Sequence, residues 1–306
     1  MKFPEQLMFI KNDRTEQKHS DESMSRKLCV VSGATSGVGY EAVKALAAGG
    51  ANICMVVRNE TKAIAVKEEI EKKHSVVVDY FLADFSDLKQ VEKVALAIVD
   101  KYPRIDVLIN SAGIHSTKRI LNPDGFEMVF CVNHLAPFLF TQLLMNKMIH
   151  SSPSRIIQVN SEGHRFNGLN LNDLNWEKRF YTGLRSYGAS KTAQLLTVWQ
   201  IAENLKGTGV TINAMHPGGV RTNIGHNNGR LYRWFLHNVT WHFLKNPKIS
   251  GDALYYLAAA KELSQTSGKF FNLTIEEKPA AHALDLESQR KTWELSMKMT
   301  SLAKRM

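Results

Sequence analysis

A chain of 306 residues can bury a substantial core, and its 44% hydrophobic and 22% charged residues are ordinary for a globular protein. A formal net charge of +10 would suit an anionic partner, yet acids and bases are interspersed, as in "VKEEIEKKH", with no block of five or more Lys/Arg, which argues against nucleic acid. Cys29, Cys54 and Cys131 lie in apolar runs without metal-ligand spacing, so they read as buried thiols of a reducing compartment, and no metal site is expected.

Residues 1–26 are mostly polar, and "LMFI" is too short for the core of a signal peptide. This stretch is expected to be a flexible or loosely docked extension, and with no run of 18 apolar residues the protein is expected in the cytoplasm, with membrane association at most peripheral. From residue 27 onward, short β-branched runs alternate with helical spacing. "LCVVS" (28–32), "NICMVV" (52–57), "VVVDYFLAD" (76–84), "DVLINSAG" (106–113), "RIIQVNS" (155–161), "VTINAMHPG" (210–218) and "GKFFN" (268–272) read as strands. Helical spacing runs through "GYEAVKALAAGG", "TKAIAVKEEIEKKH", "LKQVEKVALAIVDKY", "FEMVFCVNHLAPFLFTQLLMNKMI", "SKTAQLLTVWQIAENLKG" and the final "LDLESQRKTWELSMKMTSLAKRM". The expected architecture is α/β: a single doubly wound Rossmann domain over 27–306, with about seven parallel strands and helices on both faces.

The first strand runs into "VVSGATSGVG", where Gly33, Gly37 and Gly39 allow a tight turn and a close approach of backbone to a pyrophosphate at a helix N-terminus. Thr35, Ser36 and Val38 share that turn and are expected cofactor contacts. At the tip of the second strand, where an acid would read the ribose hydroxyl of NAD, the chain has Arg58 and Asn59. A guanidinium fork suits a 2′-phosphate, so NADP(H) is preferred and NAD(H) is the alternative. Asp84 and Phe85 end the third strand, with Asp84 placed to reach the adenine.

Ligands of an open α/β sheet bind beyond the carboxyl ends of its strands. Asn110, Ala112 and Gly113 in "NSAG", Ser161, and Pro217, Gly218, Val220 and Thr222 in "HPGGVRT" fall there. Tyr187 opens a helix, so Lys191 lies on the same face one turn later.

Taken in order, "SGATSGVG", "NSAG", Asn133 in "VNHLAPF", Ser161 in "VNSEG", "YGASK" and "PGGVRT" resemble the short-chain dehydrogenase/reductase superfamily from about residue 27 to 272. "RNETKA", "VNHLAPFLFT", "LNLNDLNWEKRF" and "SGKFF" resemble its retinol dehydrogenase and oxidoreductase-like branch. Two positions depart from the family pattern: Ser32 replaces a Thr and Ser111 the second Asn of Asn-Asn-Ala-Gly. The resemblance implies hydride transfer between a carbonyl and an alcohol, with the hydride chemistry belonging to the cofactor. It makes Tyr187 the general acid or base, Lys191 the charge that lowers the tyrosine's pKa, Ser161 the donor to the substrate oxygen, and Asn133 the holder of a relay water. Epimerases and dehydratases of the longer relatives share Tyr-x-x-x-Lys but carry a larger C-terminal domain, and a non-catalytic dinucleotide sensor would be expected to lose one of these side chains.

The segment "GRLYRWFLHNVTWHFL" (229–244), inside a region expected at about 225–248, is dense in aromatics, among them Trp234 and Phe235. It reads as a lid over an apolar aldehyde, ketone or alcohol, as a membrane- or dimer-contacting helix, or as a helix packed on the core. His164 completes the expected substrate pocket, and a homodimer or homotetramer is the expected assembly if the chain self-associates.

Overall fold

The computed structural model describes residue 12, residues 15–221 and residues 244–304. Thr222, Trp234 and Phe235, and with them most of the expected lid, lie outside the described residues.

Strands β1 (Leu28–Ser32), β2 (Asn52–Val57), β3 (Val78–Leu82), β4 (Val107–Asn110), β5 (Ser154–Val159), β6 (Val210–His216), β7 (Phe270–Asn272) and β8 (Ile275–Glu276) form one sheet in the order β3-β2-β1-β4-β5-β6-β7-β8. The first seven run parallel; β8 turns back antiparallel on β7, adding a two-residue edge strand that the apolar pattern does not announce. Helices α1 (Gly37–Ala48), α2 (Glu60–Lys73), α3 (Leu88–Lys101), α4 (Met128–His150), α5 (Gly183–Asn204), α6 (Lys248–Ala259) and α7 (Leu286–Met299) connect and cover it.

Period-two alternation divides the strands between two cores. Val30, Cys54, Leu108, Ile156 and Ile212 face α3, α4, α5 and α7. Their neighbours Cys29, Ile53, Ile109, Ile157 and Met215 face α1, α2 and α6. Strands with both faces covered need apolar residues at every position, which is why the first two read as unbroken apolar runs. Helix α4 is long and apolar enough to cross a membrane, but 78% of its most apolar window is buried inside the fold.

The described part of the N-terminal extension is docked rather than loose. Lys18 N donates to Thr274 Oγ1 at 2.8 Å, Thr274 Oγ1 donates to Gln17 Oε1 at 2.8 Å, and Asn12 Nδ2 donates to Glu277 Oε2 at 2.6 Å. Met24 is buried beside α1, with its N–H on Gly49 O at 2.8 Å. Polar composition suggested mobility; in fact Asn12, Gln17 and Lys18 bond to Thr274 and Glu277 around the β7–β8 turn, and Glu22 pairs with Lys261 at 3.0 Å.

The crossover reverses between β1 and β4, and the carboxyl ends of β1, β2, β4, β5 and β6 therefore converge on one crevice.

Candidate active site

The dinucleotide end is built by backbone proximity. Gly33 has φ +69°, and a Cβ there would stand 2.8 Å from Ala112 Cα. A Cβ on Gly39 would stand 2.5 Å from Gly33 O, so the first turn of α1 can lie this close to the turn after β1 only with glycine at 39. Ser36 precedes α1 in extended conformation, and its hydroxyl makes no capping bond, so the N-cap side chain leaves the first amides of α1 open to an anion. This uncapped turn with its two glycine contacts fits a pyrophosphate. The Ser32 hydroxyl accepts from the N–H groups of Ser111 and Ala112, each at 3.1 Å, so serine in place of threonine still ties the end of β1 to the turn after β4.

The remaining expected cofactor contacts are spread unevenly. Arg58 is exposed at the tip of β2, and Asn59 caps α2 by accepting from Lys62 N at 2.9 Å. Asp84 Oδ1 accepts from both N and Oγ of Ser86 at 2.8 Å, so part of this carboxylate shapes its own turn. Phe85, Val38 and Val220 bury their side chains in the core, which leaves only their backbone for a ligand. Phe85 packs against Phe140 with ring centroids 5.8 Å apart. Asn110 spans neighbouring elements, donating to Thr141 Oγ1 at 2.8 Å and Gln158 Oε1 at 3.0 Å. Pro217 O accepts from Ser250 Oγ at 2.6 Å, and Gly218 follows with φ +79°.

Helix α5 begins at Gly183, capped by Thr182, so Tyr187 lies in its second turn rather than at its start. Lys191 lies one turn further on the same face, with Nζ 5.7 Å from the Tyr187 ring centroid. The lysine is 3% exposed and donates to Val159 O at 2.9 Å, at the end of β5. Burial with no carboxylate among its bonded partners pulls its pKa down to about 7. Burial likewise raises the Tyr187 phenol, and the Ser161 hydroxyl offsets part of that rise. In the protein alone, dehydration of the phenol is the larger effect on Tyr187.

Ser161 caps a short 3₁₀ helix, Glu162–Phe166, its Oγ accepting from Gly163 N at 3.0 Å. Because that bond uses a lone pair, the hydroxyl proton is left to donate. Asn133 sits in a π turn, Cys131–Leu135, inside α4, a local widening that often marks a functional position. Its Nδ2 donates to Ile114 O and Ser190 Oγ, each at 3.0 Å, and its Oδ1 accepts from Ile114 N at 2.8 Å. The side chain thus holds the strand-end turn against α5, while its main-chain carbonyl accepts from Gln194 Nε2 at 2.8 Å.

His164 is corrected as a pocket residue. It is fully buried, with Nδ1 2.7 Å from Ser161 O and Nε2 accepting from Ala280 N at 3.2 Å, so both nitrogens are engaged inside the protein. Its pKa is lowered to about 3 by burial, which keeps the ring neutral.

Three residues near the site carried no sequence expectation. His115, two residues beyond Gly113, has its ring 5.9 Å from that of Tyr187. Asn160 accepts from Ser161 N at 2.8 Å and donates to Lys191 O at 3.0 Å. Gln194 bonds both Asn160 and Asn133. The only signal available was nearness to the motifs.

A family model described as short chain dehydrogenase matches residues 27–231. The chain is 36% identical to human retinol dehydrogenase 13 over 290 residues, covering 92% of this chain and 87% of that protein. It is 33% identical to human retinol dehydrogenase 14 over 297 residues, covering 92% and 88%. Among solved structures, an uncharacterised protein from Mycobacterium paratuberculosis superposes with TM-score 0.74 at 27% identity, covering 92% of this chain and 95% of that one. A short chain dehydrogenase from Shigella flexneri, solved in complex with NADP, shares the fold with TM-score 0.67 at 22% identity, over 83% and 99% of the two chains.

Proposed function

The chain belongs to the short-chain dehydrogenase/reductase superfamily and to its retinol-dehydrogenase-like branch, and from that premise we propose that it interconverts an apolar aldehyde or ketone and the corresponding alcohol, with NADP(H) as preferred cofactor. The observation that carries this reading is the shared face of α5: Tyr187 and Lys191, with Nζ 5.7 Å from the phenol ring, beside the hydroxyl of Ser161.

When bound, the nicotinamide supplies or takes the hydride. Tyr187, whose phenol holds its proton at neutral pH even at its ordinary pKa near 10, donates it to the carbonyl oxygen as that becomes an alcohol. Ser161 donates a hydrogen bond to the same oxygen and fixes it beside the phenol. In its ammonium form Lys191 places a positive charge near the phenolate that proton donation leaves behind, and so stabilises it. In alcohol oxidation the same groups act in reverse, with Tyr187 as base.

Support for the 2′-phosphate comes from Arg58, exposed at the tip of β2, together with the commitment of nearby acids elsewhere: Glu60 accepts from Tyr80 OH at 3.1 Å and Asp84 from Ser86. Support for an apolar substrate comes from the relatives' name, retinol being an apolar primary alcohol, and from the aromatic density of residues 229–244. Three free, buried cysteines suit a reducing compartment such as the cytoplasm.

The test follows NADPH absorbance with a panel of aldehydes, ketones and alcohols, comparing wild type with Tyr187→Phe. Turnover should fall at least ~100-fold in the variant with NADPH affinity retained. No turnover of any panel member by wild type, or undiminished turnover by Tyr187→Phe, would reject the reading.

A further inference from the structure

Behind Lys191, a single buried amide joins segments that are distant in sequence. Gln194 lies on α5, 3% exposed. Its Oε1 accepts from Asn160 Nδ2 at 2.7 Å and from Lys191 Nζ at 3.4 Å, while its Nε2 donates to Asn133 O at 2.8 Å. Asn160 extends the network to the end of β5, where its Oδ1 accepts from Ser161 N. One amide therefore connects the lysine, the π turn of Asn133 and the loop of Ser161.

The charge environment of Lys191 gives this arrangement its consequence. Among the described residues the lysine ammonium has two hydrogen-bond acceptors, Val159 O and Gln194 Oε1, and neither is charged. The titratable groups facing it are Tyr187 on its own helix and His216 at the end of β6, which burial keeps neutral. Glu162, on the adjacent short helix, is committed to Arg165, and so is Glu277. With no carboxylate bonded to it among the described residues, the ammonium relies on oriented carbonyl dipoles. The bond to Gln194 is long, yet an ammonium in a dry site responds to such a dipole far more strongly than in water.

We propose that Gln194 is a positioning residue for the reaction assigned above, its Oε1 holding Lys191 charged and in place while its Nε2 fixes the π turn that carries Asn133. The proposal rests on the assigned oxidoreductase reading. It assigns Gln194 no contact with substrate or cofactor and no bond made or broken; the amide acts only through Lys191 and Asn133. An amide is the side chain this position requires: a carboxylate could not donate to Asn133 O, and an aliphatic group could serve neither neighbour.

The experiment uses the full chain labelled with 13Cε-lysine, as wild type, Gln194→Met and Gln194→Glu, with Lys191 identified by the resonance missing from Lys191→Arg. Titration of that resonance reads the lysine directly, without turnover. The kcat–pH profile for carbonyl reduction is recorded alongside, with Tyr187→Phe as control. Gln194→Met should lower the Lys191 midpoint by about one pH unit and Gln194→Glu should raise it by at least as much, because a nearby opposite charge favours the ammonium. The alkaline limb of kcat should move in the same two directions. A purely structural glutamine would not shift the limb oppositely in the two variants. Should Gln194→Met fail to fold, Gln194→Asn, which keeps the amide but withdraws it by one methylene, should still lower the midpoint. An unchanged Lys191 midpoint in the folded variants, with Tyr187-dependent turnover intact, would overturn the role of Gln194 and leave the oxidoreductase reading standing. Absence of Tyr187-dependent turnover in wild type would remove that reading, and with it the role.

Discussion

A Cβ at position 163 would stand 3.1 Å from both Cδ1 and Cε1 of Tyr187, so a methyl group there fits only if the tyrosine ring gives by a few tenths of an ångström. The carbonyl of Gly163 is equally close to α5, since a Cβ on Gly188 would meet it at 2.7 Å. Two glycines from different segments therefore set how the loop of Ser161 lies on the helix of Tyr187 and Lys191. Gly163→Ala should shift the phenol by a few tenths of an ångström relative to Ser161 and lower kcat by about 10-fold or less. NADPH affinity should hardly change. Steady-state kinetics with a cofactor-binding titration checks this, and an unchanged kcat would mean that the ring is free to adjust.

Arg58 and Asn59 are adjacent but do different work. Arg58→Ala should weaken NADPH much more than NADH, because only NADPH presents a 2′-phosphate; equal losses would remove the phosphate-reading role. Asn59→Ala deletes the cap on Lys62 N and should cost about 1 kcal/mol of stability. Its effect on the NADPH/NADH preference should be small. Thermal melts and binding titrations on both variants separate the roles.

Much of this fold and of its candidate site was legible in the sequence. Buried parallel strands need apolar residues on both faces, and the first two strands end where the apolar runs end, at Ser32 and Val57. The glycine turn was readable because close backbone approach admits almost no other residue. What escaped has a common cause: it depends on contacts between segments far apart in the chain. The two-residue β8 is too short to show a period. The docking of Gln17 and Lys18 on Thr274 spans more than 250 residues. His164 could be drawn toward the pocket by its distance from Ser161 in sequence, but its ring turns inward to Ala280, a partner 116 residues away. Gln194 looked like any polar position on a helix until Asn133 and Asn160 were seen on either side of it.

Buried neutral histidines should make the protein acid-sensitive. His134 and His164 have pKa values lowered to about 3 by burial. A histidine depressed in the folded state contributes stability above its unfolded pKa, about 6.5, and loses it as pH falls toward the folded value. Each such group should remove on the order of 1 kcal/mol per pH unit in that window. Glu162 works in the opposite sense. Burial and the neighbouring Glu277 raise it to about 7, so its contribution is full below about pH 4.5 and lost as pH rises through 7. His216, also lowered to about 3, adds to the two histidines, and Glu127, raised by burial, adds to Glu162; the three histidines outweigh the two acids below pH 6. Denaturant melts at pH 7, 6, 5 and 4 should show a steepening loss of stability, and His134→Gln should flatten it. An identical pH slope in that variant would show that His134 does not titrate with unfolding.

Gly33 and Gly207 both have positive φ, +69° and +79°, and a comparison between them separates backbone strain from cofactor geometry. At Gly207 an added Cβ meets nothing within 4 Å, so Gly207→Ala should cost about 1 kcal/mol of stability, from strain alone. At Gly33 the same strain is joined by a contact of 2.8 Å with the backbone of Ala112. Backbone cannot move aside like the end of a side chain, so the turn before α1 must open and the first-turn amides must leave their place. Gly33→Ala should therefore lose at least about 10-fold in affinity for NADPH and NADH alike, since both share the pyrophosphate that the turn is built to approach. Gly207→Ala should bind both cofactors as wild type does. Fluorescence titration of the two cofactors against the two variants gives four affinities, and full NADPH affinity in a folded Gly33→Ala protein would place the pyrophosphate elsewhere.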